Sequence, residues 1–276
     1  FGAETIPALG FFVLMFFVPE SPRWLVKWGR DSLAERILAR VGGAEYARQA
    51  ISEIRQTLSA EEIARVRVSD IFERRLLRVV ALGVFLAVFQ QWCGINVIFN
   101  YAQDVFQAAG YAVSEVLVNI VFTGIVNLVF TFVAIFTVDR WGRRILMLLG
   151  ASGLAVIFGL LGAGYYVQST GWHMLILVLA AIGCYAMSLA PITWVVISEI
   201  FPNRIRGLAM SVAVLSLWAA CTALTLTFPI LNRNLGPHGT FWLYAGICVV
   251  GFLVILATLP ETKGKTLEEI EHELVG

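Results

Sequence analysis

The chain has 276 residues, of which 59% are hydrophobic and only 14% charged. A soluble domain carries roughly 25% charged residues, so too little polar surface is present to cover a water-soluble body of this length. The net charge of +1 points to no charged partner, nucleic acid included.

The chain opens on a short apolar block, residues 1–18, with no initiator Met. It is expected to be a membrane helix, the tail of a longer one. The polar segment that follows, 19–76, reads as a helical linker domain. Asp31 and Ser32 are placed to cap a helix whose apolar stripe is Leu33, Ile37, Leu38 and Val41, and Gly42-Gly43 stops it. Ala47, Ile51, Ile54 and Leu58 then repeat at helical spacing, which predicts a second amphipathic helix.

Six further apolar blocks follow, at 79–102, 116–138, 145–167, 174–200, 208–231 and 240–259. Each is about 20 residues or longer, the length a helix needs to cross a hydrocarbon core of roughly 30 Å. Barrel strands would be about half as long and would alternate polar with apolar residues. The expectation is therefore an all-α polytopic membrane protein with a six-helix bundle at 77–260 and a cytoplasmic tail helix at 261–276. In that tail Thr266 and Glu269 form a capping box, and Leu267, Ile270 and Leu274 share a face.

Charge placement supports this reading. Of the twenty Lys and Arg, twelve lie in 19–78, three in 139–144, two in 202–207 and two in the tail; the intervening connections hold only Arg233. Seven helices make the connections alternate sides, and the basic set obeys that alternation. By the positive-inside rule the linker and the C-terminus are cytoplasmic, and a multi-pass place in the plasma (inner) membrane is expected. Cys93, Cys184, Cys221 and Cys248 all fall within apolar blocks, and His173, His238 and His272 lie in connections or the tail. Neither a disulfide framework, a metal site nor a cofactor is expected, and no nucleophile or buried acid–base pair points to an enzyme.

The informative residues are neutral polar groups at membrane depth. Gln90, Gln91, Asn96 and Asn100 lie in one block, and Asn119, Thr123, Asn127 and Thr131 make a stripe in the next. Tyr185, Ser188, Thr193 and Trp194 follow in the fifth block, then Ser211, Trp218, Thr222 and Thr225 in the sixth. Ser and Thr read first as helix glue. The amides of Gln90, Gln91 and Asn96 carry donors and an acceptor each, which suits a neutral polyhydroxylated ligand, and indole faces suit the C–H side of a sugar ring. Gly94 and Pro191 interrupt their helices, either to line a substrate path or as packing kinks. Glu4, Asp104 and Glu115 sit near outer ends, Asp139 and Glu199 near inner ends. The absence of an ionisable residue at mid-membrane argues against a proton relay in this part.

Five motifs then stand in order across the chain: PESPRWL at 19–25, QQWCGINVIFNYA at 90–102, DRWGRR at 139–144, SEIFPNRIRG at 198–207 and PETKGKTLEEIE at 260–271. Together they resemble the sugar porters of the major facilitator superfamily, most closely the bacterial xylose–proton symporters and facilitative glucose carriers. The resemblance implies that the first block is helix six of twelve, that the N-terminal half is missing, and that lipid and that half are the chain's partners. It implies sugar-binding roles for Gln90, Gln91, Asn96, Asn127, Trp194 and Trp218. Asn100, on the face of Asn96, joins this candidate set. It also implies that Glu20, Arg23, Asp139, Arg143, Glu199, Arg206 and Glu261 form cytoplasmic ion pairs that gate the carrier.

Three positions depart from the family pattern. Asn100 stands for a usual Tyr, Leu189 for a Trp of the xylose-type carriers, and Leu217 for a Gln or Asn. The resulting expectation is transport of a monosaccharide or related polyol by alternating access, with proton symport preferred. A uniporter, or a non-transporting sensor on the same fold, remains the alternative.

Overall fold

The computed structural model describes residues 5–63, 73–202, 205–265, 269–270 and 273–274. The chain divides into two compact units, Phe1–Val66 and Arg67–Gly276.

In the first unit α1 (Thr5–Met15) buries none of its side chains; Phe11 and Phe12 within it, and Phe16 and Phe17 just after it, are exposed. Helix α2 (Pro22–Lys27) starts on a proline, whose missing N–H would have had no partner at a helix start. Helix α3 (Asp31–Ile63) is broken at Gly43, where φ is 86° and ψ 175°, a conformation that only glycine adopts without strain. Across the break Ala34 and Leu38 join Ala47 and Ile51, and with Leu25 and Val26 of α2 they form a small core. Arg55 Nη2 meets Asp31 Oδ2 at 2.5 Å and ties the two arms.

The predicted stripe of the first arm needs correcting. Leu38 is buried and Ile37 packs beside it, but Leu33 and Val41 are exposed. The inner face is centred between Ala34 and Leu38; at about 100° per residue Leu33 falls well to one side of it, whereas Val41 shares the face but lies at the end of the arm, beside the break at Gly43. Asp31 is the first helical residue and not the cap, and its carboxylate serves the ion pair with Arg55. The Leu58 side chain and the Thr266 and Leu267 positions lie outside the described residues.

The second unit is built from α4 (Arg74–Trp92), α5 (Ile95–Asn100), α6 (Ala102–Ala108), α7 (Val113–Trp141), α8 (Arg143–Tyr166), α9 (Trp172–Met187), α10 (Leu189–Ile200) and α11 (Arg206–Thr258). Among the described residues five stretches are long and apolar enough to cross a membrane: Leu76–Asn100, Glu115–Trp141, Arg143–Tyr166, Trp172–Ile200 and Arg206–Thr258. The last, at 53 residues and 1.5 Å per residue, is long enough for two crossings. It bends at Gly236, with φ 69° and ψ 172°, immediately before Pro237. The polar segment 232–239, which reads as a loop in the sequence, is thus helical on both sides of one glycine.

Helix α11 packs against α8 and α4, α7 against α9, and α10 bridges α4 and α8. These approaches use small residues, as membrane helices generally do. A Cβ on Gly150 would collide with Ser188, and one on Gly251 with the Phe89 ring. The polarity of the unit is the reverse of a soluble protein's. Leu117, Val121, Leu128, Phe132 and Phe136 of α7 are exposed, while Gln90, Gln91, Asn119 and Thr193 are buried. An apolar exterior of this extent on helices of spanning length is that of an integral membrane protein.

Candidate functional site

The first crossing of the second unit is broken at Gly94. There φ is +94°, and the Tyr244 ring of α11 lies so close that a Cβ would sit 2.6 Å from its Cγ. Both facts require glycine, and the break redirects the chain between the last turn of α4 and α5. Three amides meet at this point. Gln91 Nε2 donates to Gln90 Oε1 at 2.7 Å, and Asn96 Nδ2 donates to Gln91 Oε1. Gln90 Nε2 reaches the Ala190 carbonyl at 3.5 Å. The relay therefore runs from α5 through α4 to α10.

Its far end is a second break. Ser188 has φ −127° and ψ −92°, three residues before Pro191. Its amide bonds the Tyr185 carbonyl at 3.1 Å, one residue short of the regular helical partner. Its hydroxyl takes the abandoned Cys184 carbonyl at 2.5 Å. Trp194, one turn beyond Ala190, is partly exposed.

The outer part of α5 is pinned to α11. Asn100 Nδ2 donates to Thr225 Oγ1 at 3.4 Å, the Tyr101 hydroxyl to the Thr225 carbonyl at 2.8 Å, and the Tyr101 ring packs on Phe228. Trp92 Nε1 adds a bond to the Ala220 carbonyl at 3.1 Å. Trp218, two turns before Thr225, is 61% exposed, so its indole is free to meet a ligand. Asn127 is half-buried on α7; no hydrogen bond among the described residues joins its side chain to the amide relay.

The hydroxyls behave differently from the amides. Thr123, Thr131, Thr193, Ser211, Thr222 and Thr225 each donate to a carbonyl of their own helix. All six are satisfied locally, and among the described residues Thr225 alone of them also joins two helices, by accepting from Asn100. Leu189 and Leu217, the two apolar departures from the family pattern, are buried in the bundle core. The Tyr244 hydroxyl, which no motif marked, and Nδ2 of Asn119, from the polar stripe of α7, are buried without a partner among the described residues. Nor do those residues include a cluster of His, Cys, Asp or Glu able to hold a metal ion.

A charged network occupies the end of the bundle where α7 meets α8. Gly142 alone joins the two helices, with φ +89°. Arg143 reaches Glu199 Oε1 of α10 through Nη2 at 3.1 Å and Nε at 3.2 Å, and its Nη1 lies 3.4 Å from Asp139. Glu199 Oε2 accepts the Thr262 hydroxyl at 2.6 Å. The Glu261 carboxylate accepts the backbone N–H groups of Arg143 at 2.9 Å and Arg144 at 3.2 Å. It caps the start of α8, where a negative charge also complements the helix dipole. Arg206 donates to the Phe201 carbonyl at 3.2 and 3.1 Å. Glu20 and Arg23 belong to the first unit, beside the start of α2.

The model of the family described as "Sugar (and other) transporter" matches residues 1–274. The D-xylose-proton symporter of Escherichia coli (strain K12) is 40% identical over 277 residues, covering 98% of this chain and 56% of that protein. The arabinose-proton symporter of Bacillus subtilis (strain 168) is 36% identical over 267 residues, covering 96% of this chain and 57% of that protein. Among solved structures, the proton:xylose symporter XylE bound to 6-bromo-6-deoxy-D-glucose superposes with a TM-score of 0.81 at 40% identity, over 99% of this chain and 58% of that one. The inward-open form of the E. coli xylose transporter gives 0.77 at 39% identity, over 99% and 55%. The chain thus spans about half the length of the relatives it matches. The motifs, the broken helices and these likenesses agree, and the chain belongs to the sugar (and other) transporter family, with the major facilitator fold.

Proposed function

We propose that this chain supplies one wall of a sugar carrier that moves a monosaccharide or related polyol by alternating access. The observation that carries the reading is the relay of neutral amides, Gln90, Gln91 and Asn96, built where one broken helix meets another. Each amide both donates and accepts, so a ring of sugar hydroxyls can exchange bonds with it without burying a charge. To Trp194 and Trp218 we assign the apolar faces of the site, and to Asn100 and Asn127 the rest of its polar lining. Because transport moves the sugar unchanged, no covalent step is needed.

The charged end, with Asp139, Arg143, Glu199, Arg206 and Glu261, is read as cytoplasmic from its basic residues. We assign it, with Glu20 and Arg23 of the linker, to holding the outward-facing state. The opposite wall is a second, N-terminal half of the same protein. Coupling to protons is preferred, and the acidic residue it requires is assigned to that half, since the amide relay offers none.

The test is uptake of labelled pentoses and hexoses by the full-length carrier in vesicles, with and without an inward proton gradient. Accumulation that depends on the gradient supports symport, and equilibration that ignores it establishes a uniporter. No sugar uptake under either condition overturns the proposal.

A further inference from the structure

A groove of about 570 Å³ opens between the first part of α4 and the end of α11, on residues other than those of the amide relay. Its volume lies within the range of roughly 300–1,000 Å³ typical of ligand sites. The walls are apolar, with Leu82 and Phe85 from α4, Val254 and Thr258 from α11, and Leu274 from the tail closing one side. Arg78 contributes its only charge. Apart from Arg78 such walls offer a polyol little to bond, the Thr258 hydroxyl already donating to the Val254 carbonyl at 2.7 Å, whereas they match a hydrocarbon chain.

Arg78 is exposed and lies two residues inside the stretch Leu76–Asn100, which places it at the level of lipid headgroups. No carboxylate among the described residues pairs with it. Its neighbours at this end differ. Arg144 is engaged by the Leu256 carbonyl at 2.8 Å, Arg143 by Glu199 and Lys265 by Glu273. A guanidinium that rims an apolar groove without a counter-charge is complementary to a phosphate carried on an acyl chain.

We propose that this groove holds one acyl chain of an anionic phospholipid, with the phosphate on Arg78. The end concerned is the one read above as cytoplasmic, where the leaflet is rich in anionic lipid. The net charge of the lipid matters: a zwitterionic headgroup brings its own cation and leaves Arg78 without a net counter-charge. The lipid then links α4, α11 and the tail at this end of the bundle.

The experiment is native mass spectrometry of the delipidated chain in detergent, with dioleoyl phosphatidylglycerol and dioleoyl phosphatidylcholine supplied in equal amounts. The expected result is one retained phosphatidylglycerol in preference to phosphatidylcholine. Arg78→Gln should lower that preference about fivefold, the effect of one basic contact at an anionic surface, and Arg78→Lys should restore most of it. Leu82→Trp, which fills the groove and leaves the charge, should reduce retention of both lipids. Equal retention of the two lipids by the unaltered chain would overturn the proposal. So would an unchanged preference in Arg78→Gln, or an equal loss in Arg140→Gln, an exposed basic residue at the same end and outside the groove.

Discussion

Gly94→Ala tests the break on which the amide relay depends. Two costs combine. Alanine in the left-handed conformation, here φ +94°, costs roughly 1–2 kcal/mol. The added Cβ would also sit 2.6 Å from Tyr244 Cγ and 2.8 Å from its Cβ. The ring is fully buried and cannot swing aside, so overpacking adds about 1–3 kcal/mol. A total of about 2–5 kcal/mol, at roughly 2–4 °C per kcal/mol for a unit of this size, lowers the melting temperature in detergent by on the order of 4–20 °C. Intrinsic fluorescence during a thermal ramp measures it. Gly246→Ala is the control, since nothing lies within 4 Å of its Cβ position and alanine favours the helix by about 1 kcal/mol. Combining Gly94→Ala with Tyr244→Ala removes the collision and leaves the backbone strain, so the two changes should couple by 1–3 kcal/mol. If Gly94→Ala melted within a degree of Gly246→Ala, the reasoning about this break would fail.

Three further outcomes are expected. Glu261→Ala leaves the first N–H groups of α8 uncapped and should cost about 0.5–2 kcal/mol, seen as a melting temperature lowered by a few degrees; Glu261→Gln, which keeps an acceptor, should cost less. In the full-length carrier Arg143→Ala leaves Glu199 without its cation and should shift the population toward the inward-open state. Cysteine labelling from the cytoplasmic side should rise and transport should slow, with sugar binding less affected. Gln91→Ala and Asn96→Ala should each weaken sugar binding by about 1–3 kcal/mol, or roughly 5- to 150-fold. Because the two amides are bonded in series, the double variant should be weaker by less than the product of the single losses, measured by isothermal titration.

The sequence made the crossings legible because each needs some twenty consecutive apolar residues, a requirement of bilayer thickness that tertiary packing does not alter. It was less reliable where packing decides. Leu33 looks like a core residue by hydrophobicity, yet Ala34 is buried in its place, since a close approach of two short helical arms selects the smaller side chain. Residues 232–239 read as a loop from their polarity, but Gly236 alone makes the turn. The helix cap that Glu261 supplies and the packing role of Tyr244 were not legible, although Glu261 itself stood among the charged gate residues. Glu261 caps a helix that begins 118 residues earlier, and Tyr244 fills the space beside a glycine 150 positions away. Neither relation leaves a local pattern. The amides were visible because a Gln-Gln pair within an apolar run has no inexpensive structural purpose.

The arrangement of those amides also explains why two helices of one bundle are broken. A carbonyl released near a break must find a donor when no water is present. Ser188 satisfies one such carbonyl with its own hydroxyl. Gln90 reaches across from the other broken helix to the Ala190 carbonyl, in the first turn of α10 after that break, at 3.5 Å, longer than the 2.7 Å bond between Gln91 and Gln90. A bond stretched to this length is weak, so Gln90 Nε2 can exchange it for a ligand hydroxyl at little cost. Gln91 and Asn96, connected behind it, turn with the same exchange. The relay thus ties the two broken helices together, and on the function proposed above a polyol that took over its bonds would couple binding to the relative position of α4, α5 and α10. A carrier that works by moving helices around its substrate requires such a coupling, and an unbroken pair of helices, with every carbonyl bonded internally, could not provide it.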